Sequence, residues 1–172
     1  MTLRGYIACI CEGNSEHAIM DILLENNRLQ FTRENLIDGK IIRCRDGRTF
    51  EQRYLRKGFS NTITVLRILD SRKENFKLSK GYADKVEVIN IITAPEIEML
   101  IICSEHKYNT FKKSGKKPSE YCKADLGYKN VKNYEFVKQY FANVDKLIDA
   151  IFEYRRVSNL PKGEYSLNDL LN

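Results

Sequence analysis

The sequence is poor in several features that mark familiar classes of protein. It has no tryptophan, two histidines and three prolines in 172 residues, and no apolar run reaches the roughly 20 residues that cross a bilayer. It contains neither a Walker loop nor a GxGxxG motif, and His17 and His106 lie in no serine or cysteine triad arrangement. We therefore expect no membrane segment, no P-loop and no triad chemistry.

The cysteines also lack the pattern of a metal or disulfide framework. Cys9, Cys11, Cys44, Cys103 and Cys122 are odd in number, are scattered along the chain and form no CxxC pair. Buried, reduced thiols of this kind are typical of cytosolic proteins. Because the chain also begins almost directly with a predicted strand and shows no signal peptide, we expect a cytoplasmic protein.

The composition is that of one folded domain. The length suits a single domain, the 42% hydrophobic content suffices for a core, and no segment resembles a linker or low-complexity tract. The net charge of +6 is compatible with a polyanionic partner such as nucleic acid, and equally with a merely soluble basic protein.

Hydrophobic patterning predicts an α/β fold. Strands are expected over residues 3–11, 63–69 and 86–92, and the chain between them predicts helices, which favours a mainly parallel sheet with helices on both faces. The helices expected in the sheet-containing part, residues 3–111, run over 15–27, 49–57 (ending at Gly58) and 95–110. A helical part is expected over 118–172, with helices at 118–124, from 134 onward with a division at Asn143, and at 166–171.

An acidic residue follows each of the three predicted strands. Glu12 comes directly after the first strand, Asp70 directly after the second, and Glu96 shortly after the third. Ligands collect at the carboxyl edge of an open parallel sheet, and clustered carboxylates suit a hard cation such as Mg²⁺ or Mn²⁺. Glu16, one helical turn beyond Glu12, is a further candidate ligand through water.

The third acidic position has two candidates. Glu96 and Glu98 stand two residues apart in the predicted helix and point about 200° apart around its axis, so only one can face the sheet edge. Glu96 is nearer to the strand and is the preferred ligand, while Glu98 remains the alternative. As plain first-turn acids, both would also favour the helix dipole.

Basic residues cluster after the third strand, with aromatic residues between them. Lys107, Lys112, Lys113, Lys116 and Lys117, followed by Lys123, are interleaved with Tyr108, Phe111 and Tyr121, and Arg72 follows Asp70 by two residues. A second basic group lies within residues 43–57. Contacts from such groups to phosphates would be independent of nucleic-acid sequence, although charged runs are also common on plain solvated surfaces.

The order of these motifs resembles that of a divergent TOPRIM domain. Cys11-Glu12-Gly13 matches the strand-end Glu-Gly of that superfamily, and Leu69-Asp70-Ser71-Arg72 matches half of its Asp-x-Asp motif, with Arg72 in the place of the second Asp. Thr93-Ala94-Pro95-Glu96, followed by an apolar stretch, is similar in layout to the third motif of the RloB-like branch. The resemblance covers residues 5–111.

The resemblance implies a Mg²⁺-dependent nuclease, often found in mobile-element or anti-phage defence systems beside an ABC-type ATPase. In that hypothesis Glu12, Asp70 and Glu96 hold the metal with help from Glu16 or Glu98, and Arg72 and the lysines hold RNA or DNA. The alternative is a non-catalytic module that binds nucleic acid or an ATPase, which the missing acid at position 72 favours. A small-molecule phosphohydrolase is a third hypothesis, and a homo-oligomer is compatible with each.

Overall fold

Three parallel strands form the centre of the molecule, as the sequence predicts. A computed structural model describes residues 1–56, 62–72, 76–83 and 85–172. The strands are β1 (Tyr6–Cys11), β2 (Ile63–Leu69) and β3 (Val86–Ile92), in the spatial order β1-β2-β3. Cys11 is level with Ile68, and Leu69 with Ile92, so the carboxyl ends of all three strands lie at one edge of the sheet.

Eight α-helices surround the sheet in the described part of the chain. They are α1 (Asn14–Glu25), α2 (Gly47–Phe50), α3 (Lys80–Ala83), α4 (Met99–Ser104), α5 (Tyr108–Ser114), α6 (Pro118–Ala124), α7 (Tyr134–Tyr140) and α8 (Val144–Val157). A π-helical turn, Glu51–Leu55, continues α2, and a 3-10 turn, Leu167–Leu170, lies near the end of the chain. Among these described helices none is long and apolar enough to cross a membrane.

The strands alternate their side chains between two cores. Cys9, Leu66 and Ile91 face the larger core, which α1, α4 and α8 complete, while Ala8 and Val65 face a smaller core closed by the α2 region. β1 and β2 are buried on both faces and read as continuous apolar runs, which is why their positions are visible in the sequence, whereas β3 exposes several of its side chains. All five cysteines are buried and free, as predicted.

Two further segments extend the sheet without forming long strands. Ile42 bridges to Ile10 in parallel fashion, and its amide donates to Cys9 O at 2.9 Å. On the other side of the sheet, next to β3, Tyr165 bridges to Ile91, and the Ile92 amide donates to Tyr165 O at 2.8 Å. The first of these bridges brings residues 43–45 to the carboxyl edge beside β1.

The prediction of a single helix over residues 95–110 is wrong. The chain forms turns over residues 95–98, enters α4 only at Met99 and breaks again before α5. His106 has a φ of +54°, a conformation that ends an α-helix. The helix expected over 49–57 begins earlier, at Gly47, and its continuation ends at Leu55, while the predicted stop at Gly58 lies outside the described residues.

The helical carboxyl-terminal part agrees with the sequence in detail. Pro118 begins α6, as its position predicts. Asn143 divides α7 from α8, and its side chain accepts a hydrogen bond from the Asp145 amide at 3.0 Å. The helix boundaries thus coincide with local capping signals that are visible in the sequence.

Candidate active site

A cavity of about 240 Å³ opens at the carboxyl ends of β1 and β2. Its walls come from the β1–α1 turn, the end of β2, the residue that precedes α4, and two segments remote in sequence. We call it the acidic cavity because four carboxylates and two cations line it: Glu12, Glu16, Asp70, Glu98, Arg45 and Lys132.

Glu12 is held by guanidinium groups from two sides. Its Oε1 lies 3.5 Å from Nη2 of Arg67, a β2 residue whose side chain is only 1% exposed and packs 4.8 Å from the centre of the Phe76 ring. Its Oε2 lies 3.9 Å from Nε of Arg45, which is 86% exposed. Glu12 is therefore contacted by the buried Arg67 from inside the protein and by the exposed Arg45 from the solvent side.

Gly13 allows the Glu16 side chain to fold back over the turn. A Cβ atom at position 13 would lie 2.1 Å from Glu16 Oε2, so any larger residue there would displace that carboxylate. Burial raises the pKa of Glu16, and the nearby charges of Glu98 and Asp70 raise it further. The β1–α1 turn thus concentrates like charges rather than separating them.

Ser15 connects the turn to the other side of the cavity. Gly13, not Ser15, is the N-cap of α1, and the buried Ser15 hydroxyl donates to Glu98 Oε1 at 3.0 Å. The same hydroxyl lies 3.3 Å from the carbonyl oxygen of Val131, a fully buried residue. This contact sets the position of both Glu98 and the adjacent Lys132.

The structure places Glu98, rather than Glu96, at the acidic cavity. Because residues 95–98 form turns instead of a helical turn, Glu98 becomes the N-cap position of α4 and its side chain is 4% exposed. The carboxylate of Glu96 instead accepts the Ser119 amide at 2.8 Å and Lys132 Nζ at 3.2 Å. The expectation that Glu96 faces the sheet edge is therefore corrected: Glu96 anchors the first turn of α6.

The two glutamates have opposite pKa shifts. Burial raises the pKa of Glu98, and this effect outweighs the hydrogen bond from Ser15 and the charge of Lys132. Burial acts on Glu96 in the same direction, but the hydrogen bonds from Ser119 and Lys132 hold the pKa of Glu96 below its ordinary value. Hydrogen bonds thus compensate for the burial of Glu96, whereas the partners of Glu98, two residues away, do not fully compensate for its burial.

Sequence reasoning missed Lys132 as a site residue. It precedes α7, and it reaches the cavity because Val131 beside it is buried. Burial opposes its charge, but Glu98, Glu96 and Asp70 together raise the pKa of Lys132. In the sequence it is one lysine in a lysine-rich stretch, and only the tertiary contact distinguishes it.

The other predicted nucleic-acid contacts lie outside the acidic cavity. Arg72 turns away from it, and its Nε donates to both carboxylate oxygens of Glu164 at 2.9 Å. The predicted lysines are all exposed on the surface formed by α5, α6 and the chain beside them: Lys107, Lys112, Lys113, Lys116 and Lys117. The missing second acid of the Asp-x-Asp motif is therefore replaced by a residue that forms an ion pair with the carboxyl-terminal segment.

The donor set suits a hard divalent cation in its chemistry. Carboxylate oxygens are the side-chain ligands that Mg²⁺ takes in proteins, and four of them line one cavity. Across residues 1–56, 62–72, 76–83 and 85–172, however, no three acidic, histidine or cysteine side chains already converge as one ligand group. Holding a metal there requires the carboxylates to move inward, with Glu12 exchanging its guanidinium partners for the ion.

Comparisons of this chain with protein-family models, curated proteins and solved structures find no significant match.

The opposite pKa shifts of Glu98 and Glu96 predict opposite effects of removing their charges. A pKa that is higher in the folded protein than in the unfolded chain makes stability fall as pH rises from the ordinary value of 4.5 through the raised one. In EDTA, Glu98→Gln should therefore be more stable than wild type at pH 7 and equal to it near pH 4. Urea unfolding at a series of pH values measures the difference.

Glu96→Gln is the matched control, since it makes the same chemical change two residues away. Because the pKa of Glu96 is lower in the folded protein than in the unfolded chain, the ionised carboxylate stabilises the folded protein at pH values above its ordinary pKa. This variant should therefore lose about 1–3 kcal/mol of unfolding free energy at pH 7 and be as stable as wild type in acid. The same pH dependence in both variants would contradict the assigned environments.

Proposed function

We propose that the protein is a metal-dependent nuclease that hydrolyses phosphodiester bonds at the acidic cavity. The observation that carries the proposal is the convergence of four carboxylates with Lys132 and Arg45 at the carboxyl edge of a parallel sheet. Stability alone gives no reason to gather these acids, because burial raises the pKa values of Glu16 and Glu98, and the charges of Glu98 and Asp70 raise that of Glu16 further. Such perturbed carboxyl groups in a cleft are typical of functional sites.

Five charged side chains of the cavity have roles in this proposal. Glu12, Asp70 and Glu98 would hold Mg²⁺ or Mn²⁺, which would supply an activated water and neutralise charge on the phosphate. Glu16, whose pKa is raised by burial, accepts a proton from the water. Lys132, on the wall formed by the chain before α7, stabilises the non-bridging oxygens of the phosphate.

The proposal extends outward from the cavity to the basic surface. The lysines of α5, α6 and the chain beside them are exposed, as contacts to the phosphate backbone of RNA or DNA require, and Lys116 also pairs with Asp125. The resemblance to RloB-like proteins adds an ABC-type ATPase as the proposed partner and antiviral defence as the proposed setting.

The nuclease proposal predicts cutting of RNA or DNA with Mg²⁺ or Mn²⁺, and loss of cutting in Glu12→Gln. Removing this proposed ligand should lower the rate by more than the roughly 10–100-fold cost of losing an outer-shell partner. Gel assays of purified protein on labelled single- and double-stranded substrates measure the rate. Glu34→Gln, an exposed acid remote from the cavity, is the control and should cut at the wild-type rate.

Cutting that persists in EDTA would overturn the metal mechanism. Equal loss of activity in Glu12→Gln and Glu34→Gln would overturn the assignment of the reaction to the acidic cavity, since the two variants remove the same charge at different places.

A non-catalytic binding module is the second candidate, and the ion pairs of Glu12 favour it. Arg67 and Arg45 each contact one oxygen of this carboxylate. In a non-catalytic module their positive charges would take the place of the metal ion. The module would bind nucleic acid or an ATPase without metal chemistry.

Calorimetric titration with Mn²⁺ separates the two candidates. The nuclease proposal predicts a saturable heat for wild type that is lost in Asp70→Asn, because Asp70 is one of the three proposed ligands. The absence of any metal-dependent heat would favour the binding module.

A further inference from the structure

A second cavity, of about 300 Å³, lies beside the acidic cavity at the same edge of the sheet. Its walls come from the chain after β2 and β3, from α4 and α5, and from the end of α8. We call it the aromatic pocket, and the lining residues that matter here are Arg72, Pro95, Met99, Tyr108, Phe111 and Val157. The acidic cavity, in contrast, has no aromatic residue among its lining residues in the described chain.

The aromatic rings of this pocket are held in place by their own contacts. The Tyr108 hydroxyl donates to Val157 O at 3.2 Å, which ties α5 to α8. Phe111 packs edge-on against Tyr121, with 5.5 Å between ring centroids. The pocket is therefore preformed, and a planar ligand can enter it without ordering its walls.

The charges around the pocket favour an anionic ligand with a flat apolar part. Helix α5 carries the exposed Lys112 and Lys113 directly after Phe111, and Lys107 directly before Tyr108. Arg72 also lines the pocket, with its guanidinium oriented by Glu164. Rings at the centre and cations at the margin match a nucleobase attached to its phosphates, and they match an apolar peptide or lipid tail poorly.

The two cavities take lining residues from the same two stretches of chain. Asp70 and Glu98 line the acidic cavity, and Arg72 and Met99, close to them in sequence, line the aromatic pocket. The two cavities therefore lie near each other at the carboxyl edge of the sheet. A phosphate at the acidic cavity would thus place a neighbouring base at the aromatic pocket.

We infer that the aromatic pocket binds an unpaired nucleobase next to the phosphate at the acidic cavity, so that the protein selects single-stranded nucleic acid. This inference rests on the proposed action on nucleic acid and names its substrate class. A base stacked within a duplex has no free face for Tyr108 or Phe111, whereas a base in a single strand offers both faces at little cost.

The test compares single-stranded and duplex oligonucleotides of the same sequence, in RNA and DNA versions, binding to the protein in EDTA. Tyr108→Leu and Phe111→Leu should each weaken single-strand binding about tenfold in the preferred version and leave duplex binding within about twofold. Tyr108→Phe keeps the ring but loses the hydrogen bond to Val157 O, so it should retain most of the single-strand affinity that Tyr108→Leu loses. Phe152→Leu is the matched control, because Phe152 is 52% exposed on α8 and lines neither cavity.

A fluorescent base analogue gives a direct readout of stacking. A single strand containing one 2-aminopurine should be quenched on binding to wild type and to Tyr108→Phe, and less quenched on binding to Tyr108→Leu. Equal losses for single strand and duplex, unchanged binding in both leucine variants, or the same loss in Phe152→Leu would overturn the inference.

Measuring binding in EDTA keeps this inference separate from the nuclease proposal. If single-strand binding depends on the rings and no metal-dependent cutting is seen, the aromatic pocket is supported and the nuclease proposal is contradicted. If metal-dependent cutting is lost in Glu12→Gln while Tyr108→Leu changes neither single-strand nor duplex binding, the nuclease proposal is supported. The inference that the aromatic pocket binds a base is then contradicted.

Discussion

Parallel pairing of three strands decides where the charged groups of this protein lie. Because Cys11 is level with Ile68 and Leu69 with Ile92, the chain leaves each strand at the same edge. Glu12 and Asp70 therefore emerge side by side, and the turn after β3 delivers Glu98 next to them. A slip of one residue in this register would reverse the faces of the strand and expose its apolar side chains, so the core itself protects the site geometry.

Concentrating acids at this edge has an energetic cost that the surrounding cations offset in part. Arg67 supports Glu12 from within the smaller core, and Lys132 lies between Glu96 and the acidic cavity. Glu96 is fully engaged by Ser119 and Lys132, while Glu16 and Glu98 remain under-compensated, as their raised pKa values indicate. Carboxyl groups whose burial outweighs their compensation, gathered in a cleft, are typical of functional sites.

The sequence predicts the parts of the fold that depend on local chemistry. The three apolar strands, the Pro118 start of α6 and the division at Asn143 follow from patterning and capping. The choice between Glu96 and Glu98 could not be predicted locally, since it depends on the docking of α6, whose Ser119 amide captures Glu96. Lys132 and Arg45 come from segments remote from the strand-end motifs, and His106 adopts positive φ without a glycine to indicate it.

The central claim is that the acidic cavity binds a divalent metal ion through Glu12, Asp70 and Glu98. The most direct test is anomalous diffraction from crystals grown with Mn²⁺, which locates the ion without reference to activity. The account predicts an anomalous peak within the acidic cavity, with carboxylate oxygens of these three residues about 2.0–2.3 Å from it and with Arg45 displaced from Glu12. Crystals with no peak in the cavity, and with Glu12 still paired to Arg67 and Arg45, would contradict it.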